Sequence, residues 1–384
     1  LGRFQFQMGQ RLDDQFGGIG QAEHPLTHQK RHRYAADFHL DSPFSGLTAA
    51  QAAQRRQELR QLPARLAQLV QTGQADLVLL PGDLFDGERV YPETVAALAQ
   101  ALGEMAVPVF IAPGNHDFYG PQSPYARVNW PGNVHIFTTP DLESVELPDL
   151  NCVVHGCAFT APRREDDPLA GFSASKDGKL HLLCIHGEVA QGGWYAPIAP
   201  ASLAACGARY AALGHIHAAT SGKQGDTLWA YPGCPEGRGF DELGEKGVLW
   251  VQVNGDAVST RFLPVCRRQY RVEAVGLKDF EAVLPVQPSP DLVRFRLTGE
   301  SESPLNVESL TRLAAPRFFH VELRDETTLP QNLWARSGED SLTGLFLRRM
   351  KALLDGAGDE ERPRLLLAAR FGLAALEGGE DPRP

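Results

Sequence analysis

From about residue 34 onward, the spacing of apolar and polar positions alternates between two periods. Ala49 to Val70 sets apolar residues at helical intervals among Gln and Arg. Asp76-Leu-Val-Leu-Leu-Pro81 is a short apolar run ending at Gly82, as in a parallel strand covered on both faces. Thr94 to Met105 predicts a helix, and Val107 to Ala112 the next strand. Further strands are predicted at Asn151 to Val154, Leu180 to Ile185, Tyr210 to Leu213, Leu228 to Tyr231 and Val248 to Val253. Helices between the early strands and hairpin-like spacing between the later ones predict a layered α/β core.

The pattern shifts near Pro264. Strands predicted at Tyr270 to Ala274, Leu292 to Leu297 and Phe318 to Leu323 alternate with helices at Leu277 to Leu284 and Val307 to Leu313. A polar linker, Thr327 to Asp340, leads to amphipathic helices at Leu342 to Leu354 and Arg362 to Leu376. The expected divisions are therefore a disordered, Gln-rich extension at 1–30, the main α/β unit at 31–264, a small α+β unit at 265–326, and a linker with a helical tail at 327–384.

Composition narrows the function classes. A chain of 384 residues with 43% hydrophobic content can bury a large core, which excludes disorder along its whole length. The net charge of −10 excludes nucleic-acid binding by overall charge alone. Such a role needs a local basic patch, metal ions or a partner. Arg55/Arg56, Arg163/Arg164, Arg267/Arg268 and Arg348/Arg349 are candidate phosphate contacts, each with the plainer reading of a solvated face. No apolar run approaches the roughly 18 residues of a membrane span, so no membrane is expected. The 6 Cys form no C-x-x-C pair and are expected to be buried thiols of a cytoplasmic protein.

Five stretches place metal-ligand side chains just after apolar strands: Asp37-Phe-His39-Leu-Asp41, Gly82-Asp83-Leu-Phe-Asp86, Gly114-Asn115-His116-Asp117, His186-Gly187 and Gly214-His215-Ile-His217. In an open α/β sheet the carboxyl ends of strands converge on one site. A spacing of two puts Asp37 with His39, and His215 with His217, on one side of an extended segment. Imidazoles, carboxylates and one amide oxygen suit Mn²⁺, Fe or Zn²⁺ better than a thiolate site or an all-oxygen cage. Two carboxylates (Asp37, Asp83), one amide (Asn115) and four imidazoles (His39, His186, His215, His217) are too many for one ion with an open position. They suit two ions sharing a carboxylate, a known arrangement for phosphoester hydrolysis. His135, His155, His181 and His320 lack that context and are read as structural.

In this order, the five stretches resemble the calcineurin-like metallophosphoesterases. Ala35 to Phe44, Leu80 to Asp86 and Ala112 to Asp117 narrow the resemblance to the bacterial DNA-repair exonuclease branch, the SbcD and YhaO type. Tyr231 to Phe240, followed by Gly244-Glu-Lys-Gly247, is similar to the stretch closing the catalytic domain of the YhaO-like group, with Cys234 where relatives often carry Asn.

The resemblance implies a β-sandwich flanked by helices, with 265–326 as a capping domain. It implies two divalent ions, Mn²⁺ foremost, with Fe, Mg or Zn as alternatives. Asp37, His39, Asp83 and His217 would hold the first ion. Asp83 would bridge to a second held by Asn115, His186 and His215. His116 matches the catalytic His that serves the leaving oxygen; Asp117 is expected to orient it, and Asp86 to support the metal site or position substrate. The expected function is a DNA phosphodiesterase, a Mn-dependent repair exonuclease, with an SbcC-like coiled-coil ATPase docked on the tail. A homodimer could also form. The alternatives are a small-molecule phosphodiesterase or nucleotidase, and a non-catalytic assembly subunit.

Overall fold

The computed structural model describes residues 30–87, 90–301, 304–328, 334 and 336–376. The extension expected at 1–30 lies, but for Lys30, outside the described residues, as does part of the 327–340 linker. Four short strands, β1 (Lys30–Tyr34), β2 (Leu77–Leu80), β3 (Val109–Ile111) and β4 (Val134–Ile136), run parallel in that order. The next six, β5 (Glu143–Leu147), β6 (Cys152–Gly156), β7 (Leu180–His186), β8 (Tyr210–Gly214), β9 (Thr220–Gln224) and β10 (Thr227–Tyr231), form a second sheet ordered β5-β6-β7-β8-β10-β9. The hairpin of β11 (Gly247–Asn254) and β12 (Ala257–Pro264) then returns to the first sheet, antiparallel to β1.

The period-two alternation of each strand sorts its residues between layers. Leu77, Leu79 and Phe110 face Val154, Leu182, Cys184, Tyr210 and Ala212 across the two sheets. Val78, Leu80, Val109 and Ile111 face outward onto helices 49–60, 62–72 and 92–104, through Leu59, Leu66, Leu98 and Leu102. Leu183, Ile185, Ala211 and Leu213 pack on Leu203 of helix 200–205. The result is two face-to-face sheets flanked by helices. The helical pattern of 49–70 divides at Gln61, with Pro63 in the first turn of the second helix.

Beyond Pro264, β13 (Tyr270–Gly276), β14 (Ser289–Thr298) and β15 (Phe318–Asp325) make a three-stranded parallel sheet. The segment expected as a helix at 277–284 is a 3-10 turn followed by one short helix, Phe280–Val283. Helix 49–60 anchors this unit. Gln51 donates to the Phe319 carbonyl at 2.6 Å, and the Arg268 guanidinium meets Glu58 at 2.6 Å while lying over the Phe319 ring. Arg55 is buried, bonded to Glu58 at 2.8 Å, Glu236 at 3.1 Å and the Gly237 carbonyl at 2.9 Å. Arg55 and Arg268 are thus internal ion-pair partners, neither phosphate contacts nor a solvated face.

Helices 342–355 and 362–376 pack on each other through Leu347, Met350, Ala369 and Leu373. No helix among the described residues is long and apolar enough to cross a membrane. All 6 Cys are free, five of them buried and Cys266 half-buried.

Candidate metal centre

The loops leaving β1, β2, β3, β7 and β8 meet at one end of the sandwich. The first two are laced together: Asp37 N–H donates to the Gly82 carbonyl at 3.1 Å and His39 N–H to the Asp83 carbonyl at 2.9 Å. The backbone is strained at several of these residues, with φ of 54° at Asp37, 46° at His39, 50° at Asp83 and 105° at His215. Such φ values cost energy in non-Gly residues and concentrate at functional sites. The loops approach so closely that a Cβ at Gly114 would sit 2.2 Å from Asp83 Oδ1. One at Gly214 would sit 1.8 Å from the Pro81 carbonyl oxygen.

One ligand atom from each of Asp37, His39, Asp83 and His217 lies within 4.8 Å of the others. Beside them, His186 Nε2 is 2.9 Å from Asn115 Oδ1 and 3.5 Å from Asp83 Oδ2. Asp83 Oδ2 also lies 3.7 Å from His39 Nε2, so this carboxylate stands between the two groups. The His215 ring packs beside them, 5.4 Å from the His186 ring.

The protonation pattern fits a cation. His186 Nδ1 faces the Pro81 carbonyl at 2.9 Å, which can only accept, so Nδ1 carries the proton and Nε2 the lone pair. His39 Nδ1 faces Asp86 at 3.0 Å, with the same consequence, while His217 Nδ1 lies between Glu242 Oε1 at 2.7 Å and the donor Arg238 Nη2 at 3.1 Å. The Nε2 atoms of His39 and His217 face each other at 3.1 Å, where a cation between them would satisfy both. Asp37 Oδ2 is buried with no hydrogen-bond partner.

Electrostatics agree. Burial, then the neighbouring Asp83, holds the Asp37 carboxyl well above the usual carboxylate range. Burial, then Asp117, pushes Asp83 up to about 7. Burial pulls His186 down to about 4 and, with His186 and His217 beside it, His215 down to about 3. Neutral imidazoles and crowded carboxylates are a donor set for divalent ions.

His116 is exposed into a cleft of about 900 Å³, lined also by Asp41, Asp86, Asn115, Phe118, Arg163 and Tyr195. Its backbone N–H donates to Asp83 Oδ1 at 3.0 Å, and its ring lies 4.9 Å from that of His39. Asp117 has a different part from the one expected. Its buried carboxylate accepts from Gly114 N at 2.8 Å, Leu84 N at 2.8 Å, Phe85 N at 3.2 Å and the Tyr125 hydroxyl at 2.5 Å. It ties together the loops that carry Asp83, Asn115 and His116, and its acceptors go to those backbones and to Tyr125 rather than to the imidazole.

Asp86 braces His39 and receives Arg238 at 3.0 Å. Sequence reasoning did not single out Arg238 and Glu242. Arg238 Nη2 donates to Glu242 Oε1 at 2.7 Å, and Glu242 in turn fixes His217. The only signal for Arg238 was its place in the stretch Tyr231 to Phe240.

Residues 34–219 match the model of the calcineurin-like phosphoesterase family. The chain is 28% identical over 241 residues to the uncharacterized metallophosphoesterase YhaO of Bacillus subtilis, covering 60% of this chain and 59% of that one. It is 29% identical over 261 residues to the DNA double-strand break repair protein Mre11 of Aeropyrum pernix, covering 62% of each. The chain thus spans about six tenths of the length of these relatives. A dimetal phosphatase from Danio rerio overlays with a TM-score of 0.38 at 14% identity, over 62% of this chain and 99% of that one. Residues 34–219 thus match the calcineurin-like phosphoesterase family, and the clustered Asp/His donor set lies within that stretch.

Proposed function

We propose that this chain is a two-metal phosphodiesterase that hydrolyses DNA, a Mn²⁺-dependent exonuclease of DNA repair. The observation that carries the reading is the pair of Nε2 atoms facing each other at 3.1 Å beside the Asp83 carboxylate that His39 and His186 both approach. Asp37, His39, Asp83 and His217 would hold one ion, and Asp83, Asn115, His186 and His215 the other. When bound, two divalent ions supply an activated water at neutral pH and neutralise charge on the phosphate.

The chain's own groups do the rest. His116, facing the cleft, gives a proton from a ring nitrogen to the leaving oxygen. Asp86 and Glu242 keep His39 and His217 protonated on Nδ1 and free on Nε2. The Mre11 relative's role in double-strand break repair favours DNA over a small ester. The unit at 265–326 reaches the same loop, since Tyr270 donates to the Arg238 carbonyl at 3.0 Å and Arg294 lies over the Phe240 ring. On this reading it caps the cleft. The exposed Leu342, Leu345 and Leu367 of the last two helices suit docking by an SbcC-like coiled-coil ATPase.

The test is hydrolysis of end-labelled DNA and of bis-p-nitrophenyl phosphate, with Mn²⁺ present or chelated. DNA degradation that needs Mn²⁺ and is lost in Asp83→Ala and His116→Ala is the expected result. Turnover of the small ester with DNA intact would move the reading to a small-molecule phosphodiesterase. No turnover of either substrate would make the chain an assembly subunit.

A further inference from the structure

After His186 the chain makes a short hairpin. Ile198 N–H donates to the Glu188 carbonyl at 2.7 Å and Ala190 N–H to the Ile198 carbonyl at 3.1 Å. A second loop clamps its returning arm, with Arg164 N–H on the Trp194 carbonyl at 2.9 Å and Ala196 N–H on the Arg164 carbonyl at 2.7 Å. The Trp194 backbone is therefore held through its carbonyl, and its indole is 53% exposed. The Arg163 guanidinium lies 4.7 Å from the centroid of that indole, and no carboxylate among the described residues pairs with it. The next residue, Tyr195, turns inward: its ring lies 4.7 Å from that of His215, and it lines the cleft together with Arg163, Asn115 and His116.

A large aromatic half exposed to water, with a cation over its ring, at the rim of a phosphoester-cleaving cleft, is matched to one kind of ligand. That ligand carries a flat π-face and a negative charge within one residue's reach. We propose that Trp194 and Arg163 form a stacking platform for an unpaired nucleobase adjoining the phosphodiester held in the cleft, with Arg163 on the neighbouring phosphate. This deepens the nuclease reading and rests on it for the cleft's role. Stacking on an aromatic tolerates any base, since every base has a π-face. It requires a base free of its partner, so the platform selects single-stranded or frayed ends over intact duplex. The Trp194 carbonyl is braced on Arg164, which limits the backbone ordering that binding requires.

The test is equilibrium binding of a fluorescein-labelled single-stranded oligonucleotide to the full chain in Ca²⁺, against the same oligonucleotide with abasic sugars and against a blunt duplex. Stacking of one base predicts that Trp194→Ala weakens binding of the normal strand about 5- to 150-fold. Trp194→Phe should stay within about threefold of the wild type. The abasic strand should bind the wild type as weakly as Trp194→Ala binds the normal strand, and the Ala substitution should then make no difference. Equal binding of the normal strand by wild type and Trp194→Ala, or no binding by the wild type, overturns the proposal. An oligonucleotide that binds through Trp194 but is not cut in Mn²⁺ would instead refute the nuclease reading and leave the platform standing.

Discussion

Replacing Glu242 by Gln keeps the volume of a buried side chain and removes its charge. In the native arrangement Oε1 accepts from His217 Nδ1 at 2.7 Å and from Arg238 Nη2 at 2.7 Å, while Oε2 accepts from the Arg238 backbone N–H at 2.7 Å. A Gln amide cannot satisfy all three. With its oxygen toward His217, its NH₂ opposes the Arg238 backbone N–H. With its NH₂ toward His217, the imidazole must move its proton to Nε2, the atom that should hold the ion.

One hydrogen bond to a charged group is worth about 1.5–3 kcal/mol. At 1.4 kcal/mol per tenfold, its loss should weaken Mn²⁺ binding about 10- to 100-fold, the range found for partners of metal-bound His. Calorimetric titration of the purified variant with Mn²⁺ reads that directly, with circular dichroism confirming the fold. A correctly folded Glu242→Gln whose Mn²⁺ affinity stays within twofold of the wild type would refute the reasoning.

His116→Ala should lower turnover about 10²- to 10⁴-fold while Mn²⁺ binding is retained, checked by steady-state kinetics beside the same titration. Asp117→Asn should leave at least one of the four donors on that carboxylate unpaired and lower stability by about 1–3 kcal/mol, read from the urea midpoint. Burial opposes ionisation of Glu58, but Arg268 and Arg55 outweigh it and hold the carboxyl at about 2, against 4.5 for the free side chain. Its folded pKa is depressed, so its stabilising effect is complete above about pH 4.5 and fades as pH falls toward 2. Glu58→Gln should therefore be less stable than wild type by about 2 kcal/mol at pH 7, with the gap closing in acid. A gap that is constant with pH would contradict the assignment.

The sequence made the ligand types and their strand-end positions legible because these are local: a donor pair at spacing two, a Gly beside it, an apolar run before it. What it concealed depends on contacts between distant segments. Glu242 matters only because the fold brings it to His217, and Arg55 looks like a surface residue of a polar helix until Glu236 arrives beneath it. Asp117 looked like a partner for its neighbour His116, yet its carboxylate points back into the loop and is filled by backbone N–H groups. Strands β4, β5, β9 and β12 escaped notice because few of their residues are buried, so the apolar signal was weak. Trp194 had no periodic signal at all. Its meaning comes from the Arg163 guanidinium over its ring and from Tyr195, the next residue, which lines the cleft.

The central claim is that seven side chains from five loops make a site for two ions sharing Asp83. Equilibrium dialysis of the wild-type chain against Mn²⁺, with bound metal counted by elemental analysis, tests it most directly. The account predicts two ions per chain, at most one weakly held ion in Asp83→Ala, and two in His116→Ala. A wild-type chain that saturates at one ion, or an Asp83→Ala variant that still binds two, would contradict it.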